Sequence, residues 1–212
     1  MSDAIDLARR FALRAGAALL VGPALVRWTH AGAAPTPEQP LGPFYPRILP
    51  ADRDNDLAQV RGRTERAQGT VLFVDGRVSD GSGNAIGNAL VEIWQCDVHG
   101  KYLRPADDSP GTRDENFQGY GQARTGADGA YGFRTIRPVA YASRPPHIHF
   151  QVSHPVFRTL VTQLYAPEEG AAPAGRRWIE AAYPSLWVTF VPATREAGAL
   201  AARFDIVLAA AS

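Results

Sequence analysis

The chain has 212 residues, 45% of them hydrophobic and 20% charged, with a formal net charge of +1 at pH 7. That length and composition fit one globular domain with a sizeable core, and the near-neutral charge gives no footing for nucleic acid or an anionic membrane as partner. A single cysteine, Cys96, excludes an intrachain disulfide; in the apolar run VEIWQC it reads as a small buried residue.

Residues 1–33 have the order of an export signal. Basic ARRFALR at 8–14 precedes apolar AGAALLVGPALV at 15–26, and Ala31-Gly32-Ala33 follows as a small-residue cleavage site. Arg9-Arg10 makes it similar to a twin-arginine signal, although Ala8 and Ala12 stand where that signal usually has a hydroxyl residue and phenylalanine. The apolar stretch is too short to span a bilayer comfortably. The expectation is an exported, periplasmic protein with no membrane segment in its mature form; the plainer reading is an amphipathic helix packed on the domain.

Residues 34–69, beginning APTPEQPLGPFYPRILPADRDND, are rich in proline, charge and turn formers, which predicts an extended arm with little regular structure. From about residue 70 the pattern is β. TVLFVDGRVSD (70–80) runs into the turn cluster DGSGN, and LVEIWQC (90–96) is a central strand with apolar residues on both faces. His99-Gly100 turns the chain into KYL; then come ADGAYGFRTI (127–136), PHIHFQV (146–152), TLVTQLY (159–165), LWVTFV (186–191) and RFDIVL (203–208). This set predicts an all-β domain over 70–212, a two-sheet β-sandwich of prealbumin or immunoglobulin type. A short helix is expected near 175–182. The segment 101–125, holding Pro105 and Pro110, reads as a long loop of the kind that carries function.

Of five histidines, His30 belongs to the signal, and His99 and His154 stand beside Gly100 and Pro155 as turn residues. His147 and His149 differ. Side chains alternate along a strand, so both imidazoles and Gln151 share one face while Ile148, Phe150 and Val152 form an apolar back. An H-x-H pair alone is a weak metal signal, shared with zinc and copper sites. Tyr141 and Arg144 lie just upstream, and phenol, imidazole and cation together point to a metal handling an electron-rich substrate.

The surrounding blocks sharpen this. LGPFYP (41–46), DNDL (54–57), GRVSDGSGNAIGNALVEIWQCDVHGKY (76–102), NFQGYGQARTGADGAYGFRTIRPVAY (116–141), RPPHIHFQV (144–152) and TQLY (162–165) together resemble the intradiol ring-cleavage dioxygenases. The resemblance covers nearly all of 37–208 and is closest to short stand-alone relatives of the protocatechuate 3,4-dioxygenase β subunit. It implies a non-haem Fe(III) held by Tyr102, Tyr141, His147 and His149. It implies too that a catechol is cleaved with O2 between its hydroxylated carbons to a cis,cis-muconate. Tyr141 would act as a base, Arg144 would stabilise developing negative charge, and Gln163 would be a polar residue beside metal or substrate. Tyr45 and Tyr120 are weaker candidates for the pocket wall, and Tyr165 shares strand phase with Gln163. Tyr131 and Trp94 read as core residues.

The chemistry agrees with that donor set. Fe(III) is hard, so anionic oxygen suits it, and imidazole also binds iron; two phenolates and a hydroxide would balance its charge. Two departures stand out: Ala142-Ser143 occupy the place of the proline and tryptophan usual in protocatechuate enzymes, and Gly126 replaces a common turn aspartate. The substrate therefore stays open among catechol, protocatechuate and hydroxyquinol types. Family members are commonly multimeric, and the arm could clasp a neighbour. The competing reading is a non-enzymatic prealbumin-like scaffold or binding module; a degenerate member with another metal or none is a third.

Overall fold

In VLFVDGRVSD, alternate residues Leu72, Val74 and Val78 are fully buried, which makes β1 (Val71–Asp80) the spine of one sheet. The computed structural model describes residues 33–103, 111–167 and 176–211. The predicted export signal falls outside them apart from Ala33, as do Pro105 and Pro110 of the predicted loop.

The other elements follow in order: β2 (Leu90–Trp94), β3 (Tyr120–Arg124), β4 (Ala130–Ile136), β5 (His147–His154), β6 (Phe157–Tyr165), α1 (Arg176–Ala182), a 3-10 turn (Pro184–Leu186), β7 (Val191–Pro192), β8 (Leu200–Arg203) and β9 (Ile206–Leu208). One sheet has the order β4-β1-β8-β7, with β9 also paired to β1; the other has the order β3-β2-β5-β6. Their facing sides supply one core, in which Val74 and Val78 of β1, Val91 and Ile93 of β2, and Ile148, Phe150 and Val152 of β5 are all fully buried. The fold is the expected all-β sandwich.

Along one edge β1 runs parallel first to β8 and then to β9, the change falling at Phe204, whose N–H donates to Asp75 O at 2.9 Å. Gly76 faces that crossing. A Cβ there would lie 1.9 Å from Phe204 O, so no larger residue fits.

Three sequence expectations are corrected. The segment 101–125 is not loop throughout, because its end forms β3, paired antiparallel to β2. YGQAR lacks an apolar alternation, and its Gly121 is dictated by packing, since a Cβ would meet Asp54 O at 2.5 Å. KYL leaves its turn without joining a strand, and of LWVTFV only Val191 is in one. The preceding 3-10 turn, begun by Pro184, takes up the start of that run, and Val188 N–H donates to Tyr165 O as an isolated contact.

The arm is fastened within its own chain. Thr36 N–H donates to Val207 O, and Val207 N–H donates back to Thr36 Oγ1. Gln39 N–H donates to Val161 O, and Thr162 Oγ1 donates to Pro37 O. Further on, Arg53 O accepts from Gln122 of β3, while Asn55 and Leu57 bond both backbone groups of Arg134 on β4. This DNDL stretch therefore bridges the edges of both sheets, and Leu57 and Ala58 are fully buried in the core. The end of the predicted arm is thus part of the sandwich. Among the described residues, no helix is long and apolar enough to cross a membrane.

Candidate functional site

β5 lies between β2 and β6, which places Trp94 beside His149 on one side, Gln163 beside His149 on the other, and Tyr165 beside His147. Ile148 and Phe150 anchor the strand in the core, so the two imidazoles face away from it. Their ring centres are 4.8 Å apart, and the residues are 1% and 2% exposed.

His147 Nδ1 is 2.6 Å from Pro145 O. A carbonyl only accepts, so Nδ1 carries the proton and the Nε2 lone pair faces the Tyr102 hydroxyl at 3.4 Å. His149 lies flat against Trp94, with centroids 4.8 Å apart and planes 7° apart, and neither of its nitrogens has a hydrogen-bond partner among the described residues. Buried polar atoms left in that condition are uncommon and call for a ligand.

Burial holds both rings neutral. It pushes His147 from its ordinary 6.5 down to about 4, with the Pro145 carbonyl opposing and Arg144 reinforcing. Burial, then the charges of His147 and Arg144, push His149 well below its ordinary value. The unfolded chain therefore binds more protons than the native one between these limits, so native stability falls as pH falls. Thermal melts of the metal-free protein should show a melting temperature that drops as the pH is lowered from 6.5 to about 4. A flat profile there would contradict neutral buried imidazoles.

Tyr102 follows a tight turn. Asp97 Oδ1 accepts from the backbone N–H groups of His99 and Lys101, and Gly100 adopts φ 77°. The Tyr102 ring is buried face to face with Phe44, at 4.3 Å and 6°. Burial, aided by Cys96 and Tyr141, raises its phenol well above the usual 10. Only a bound cation would make it a phenolate near neutral pH.

Tyr141 is half-buried, with its ring centre 5.3 Å from that of Tyr102 and 5.4 Å from that of His147. It opens a turn in which Arg144 N–H donates to Tyr141 O at 2.9 Å, and Ala142 takes φ 47°. That left-handed backbone is costly for a residue with a Cβ. Arg144 Nη2 donates to Gln163 Oε1 at 2.6 Å and to the Tyr165 hydroxyl at 3.3 Å. Its Nε is buried with no hydrogen-bond partner among the described residues.

The structure thus brings together Tyr102, Tyr141, Arg144, His147, His149 and Gln163. Among the described residues no group of three or more His, Cys, Asp or Glu gathers, so the oxygen donors beside this imidazole pair are phenols. Two neutral, buried imidazoles, one of them with both nitrogens unpartnered among the described residues, and two phenols fit a hard, redox-capable cation such as Fe(III).

Tyr45 and Tyr120 are placed differently from their predicted role on the pocket wall. Their hydroxyls donate to Glu92 Oε1 at 2.9 and 2.5 Å, and Gln151 Nε2 donates to Glu92 Oε2 at 2.9 Å. Tyr120 is fully buried and Tyr45 packs edge-on to Trp94, so both phenols serve a buried carboxylate behind the imidazoles. Trp94, read as core, instead stacks on a candidate ligand; it points away from the inter-sheet core because Val91 and Ile93 occupy the other phase of β2.

Phe44, Gly42 and Glu92 were not singled out from sequence. A Cβ on Gly42 would come within 3.5 Å of His149 Cε1, so the arm passes directly over that ring. A lone glutamate in an apolar strand was the one available signal for Glu92.

The family model described as Dioxygenase matches residues 41–210. The chain is 38% identical over 167 residues to a protocatechuate 3,4-dioxygenase β chain from Burkholderia cepacia, covering 73% of this chain and 71% of that one. It is 36% identical over 148 residues to a catechol 1,2-dioxygenase from Candida albicans, covering 60% of this chain but only 46% of that protein. Among solved structures, the dioxygenase domain of a dioxygenase carbohydrate-binding protein fusion from Streptomyces sp. SirexAA-E superposes with a TM-score of 0.61 at 30% identity, over 84% of this chain and 100% of that one. An intradiol ring-cleavage dioxygenase from Tetranychus urticae gives a TM-score of 0.62 at 18% identity, over 84% and 95% of the two chains, and shows the shared fold.

Proposed function

Since the chain belongs to the intradiol ring-cleavage dioxygenases, an oxidoreductase family, we propose that it cleaves the ring of a catechol between the two hydroxylated carbons, using O2 and a non-haem Fe(III), to give a cis,cis-muconate. The carrying observation is the meeting of two phenols with two neutral, buried imidazoles, one of which has both nitrogens unpartnered among the described residues. Tyr102, Tyr141, His147 and His149 would hold the metal. When bound, the ferric ion would supply the Lewis acidity that draws both catechol oxygens in as anions and leaves the ring electron-rich enough to meet O2.

The chain's own residues then divide the remaining work. Tyr141 is the more accessible phenol and sits on a turn, so its oxygen, as the phenolate that a bound cation would make it, is suited to take a catechol proton. Arg144, aimed by Gln163, presents a partly buried guanidinium whose buried Nε–H, without a hydrogen-bond partner among the described residues, can stabilise negative charge as it develops on the substrate. Phe44 and Trp94 keep water from the ring faces of Tyr102 and His149. His147 keeps its proton on Nδ1, held by Pro145 O, and so offers Nε2 throughout.

The protein loaded with Fe(III) should show a visible tyrosinate charge-transfer band that shifts when catechol, protocatechuate or hydroxyquinol is added. A protein that stays colourless after iron and catechol would overturn the reading. Arg144→Ala should keep the band and lose turnover by about 100-fold, the scale for removing one charge-stabilising donor. Loss of iron in that variant would make Arg144 structural instead.

Both an α and a β chain of protocatechuate 3,4-dioxygenase are among the similar proteins, which supports assembly with further copies of this chain, checked by light scattering. The order of residues 1–33 supports export by a twin-arginine route; replacing Arg9 and Arg10 by lysine should retain the protein in the cytoplasm.

A further inference from the structure

Arg144 is held by more than Gln163. Its Nη2 also reaches the Tyr165 hydroxyl at 3.3 Å, and that hydroxyl lies 3.1 Å from Gln39 Oε1. The amide orientations are fixed by their partners. Gln163 turns its oxygen to the guanidinium and its Nε2 to Pro40 O at 3.3 Å, while Gln39 gives its Nε2 to Glu38 O at 2.8 Å and so turns its oxygen to Tyr165. Gln163 Oε1, with a second lone pair besides the one that accepts from the arginine at 2.6 Å, is also within reach of the phenol, at 3.0 Å. The phenolic proton is thus held between the Gln39 and Gln163 oxygens, and the Tyr165 oxygen, facing Arg144 Nη2, links the guanidinium to Gln39 of the arm.

The middle and the far end of this hydrogen-bonded chain are anchored. Tyr165 is buried, stacked on Trp187 at 5.3 Å and 23°, so its oxygen has a fixed position. Gln39 is pinned by its backbone N–H to Val161 O at 2.8 Å, which docks the arm on β6. Arg144 itself stands at the end of the turn that Ala142 makes with left-handed backbone, so its own main chain does little to aim the side chain.

We infer that Gln39 and Tyr165 are positioning residues through which the docked arm aims the Arg144 guanidinium into the site. Tyr165 acts by accepting from Arg144, and Gln39 by accepting from the Tyr165 hydroxyl and tying it to the arm. This deepens the ring-cleavage reading and rests on it for its kinetic consequences, but the aiming itself is a property of the metal-free protein.

The test has two arms. In metal-free protein labelled with 15N-arginine, the Arg144 Nη–H resonances, assigned by their loss in Arg144→Lys, should be resolved and protected. Gln39→Ala and Tyr165→Phe should each broaden or average them, and Gln39→Glu, which keeps an acceptor, should restore them. In iron-loaded protein, the tyrosinate band should be unchanged in Gln39→Ala and Tyr165→Phe while kcat falls about tenfold with KM little altered, as for loss of an interaction made in the transition state. The double variant should be no worse than Tyr165→Phe alone. Unchanged Arg144 resonances in both single variants, additive kinetic losses, or failure of Gln39→Glu to recover would overturn the inference. Absence of both band and turnover in the unaltered protein would instead overturn the ring-cleavage reading, leaving the NMR arm to decide the positioning role.

Discussion

His149→Phe is expected to abolish both the iron-dependent visible band and catechol turnover while raising the stability of the metal-free protein. The two effects have one cause. Both imidazole nitrogens are buried and lack hydrogen-bond partners among the described residues, so in the absence of metal the ring costs about 1–3 kcal/mol in unmade hydrogen bonds. Phenylalanine keeps the flat contact with Trp94 and removes that cost. A gain of about 1 kcal/mol corresponds to roughly 2–4 °C in melting temperature for a domain of this size. Tyr102→Phe should abolish the band and turnover too, without a comparable gain, because the Tyr102 hydroxyl has His147 Nε2 at 3.4 Å. Calorimetry of the two metal-free variants beside iron titrations separates a ligand from a packing residue. Survival of turnover in both would sink the donor assignment, and a large fall in the melting temperature of His149→Phe would show that the ring is structural.

The second large effect lies far from the imidazoles. Gly76→Ala should leave little folded protein, or lower stability by more than about 4 kcal/mol, the range reserved for gross steric conflict. The added Cβ would sit 1.9 Å from Phe204 O and 2.8 Å from the Tyr131 hydroxyl, and the first is backbone that cannot swing aside. Gly198→Ala provides the contrast. There φ is +77° and nothing lies within 4 Å, so only the left-handed backbone is strained, at about 1–2 kcal/mol. Urea unfolding of the two variants tests the difference; similar midpoints would mean that β1 and the Phe204 crossing can move apart.

The legible parts of this molecule were those with a period or a recurring block. The two-residue alternation of β5 and β1 put Ile148, Phe150, Leu72 and Val74 in the core and the two imidazoles on the other side. Tyr102 and Tyr141 have no such signature, because each sits at a turn whose geometry comes from Gly100 and Ala142; nearness to the imidazole pair pointed to Tyr141, and resemblance alone to Tyr102. β3 was hidden because its glycine and polar residues read as loop, and what makes it a strand is its pairing with β2 on one side and the bond from Gln122 N–H to Arg53 O on the other, neither of which shows as a motif or a period. Tyr45 and Tyr120 were read toward the pocket because their hydroxyls have no visible destination in one dimension. Their partner is Glu92, a charged residue in an apolar run whose meaning depends on two other strands.

The pairing of Thr36 with Val207 has a consequence for biosynthesis. The first stretch of the arm can take its place only when the last strand exists, so a chain still emerging from the ribosome cannot have closed that end of the molecule. Gln39 and Gly42 lie just beyond Thr36, against Tyr165 and His149. The face that carries the two imidazoles is therefore completed only after β9 has been made, and before that closure it stands open with no finished structure over it.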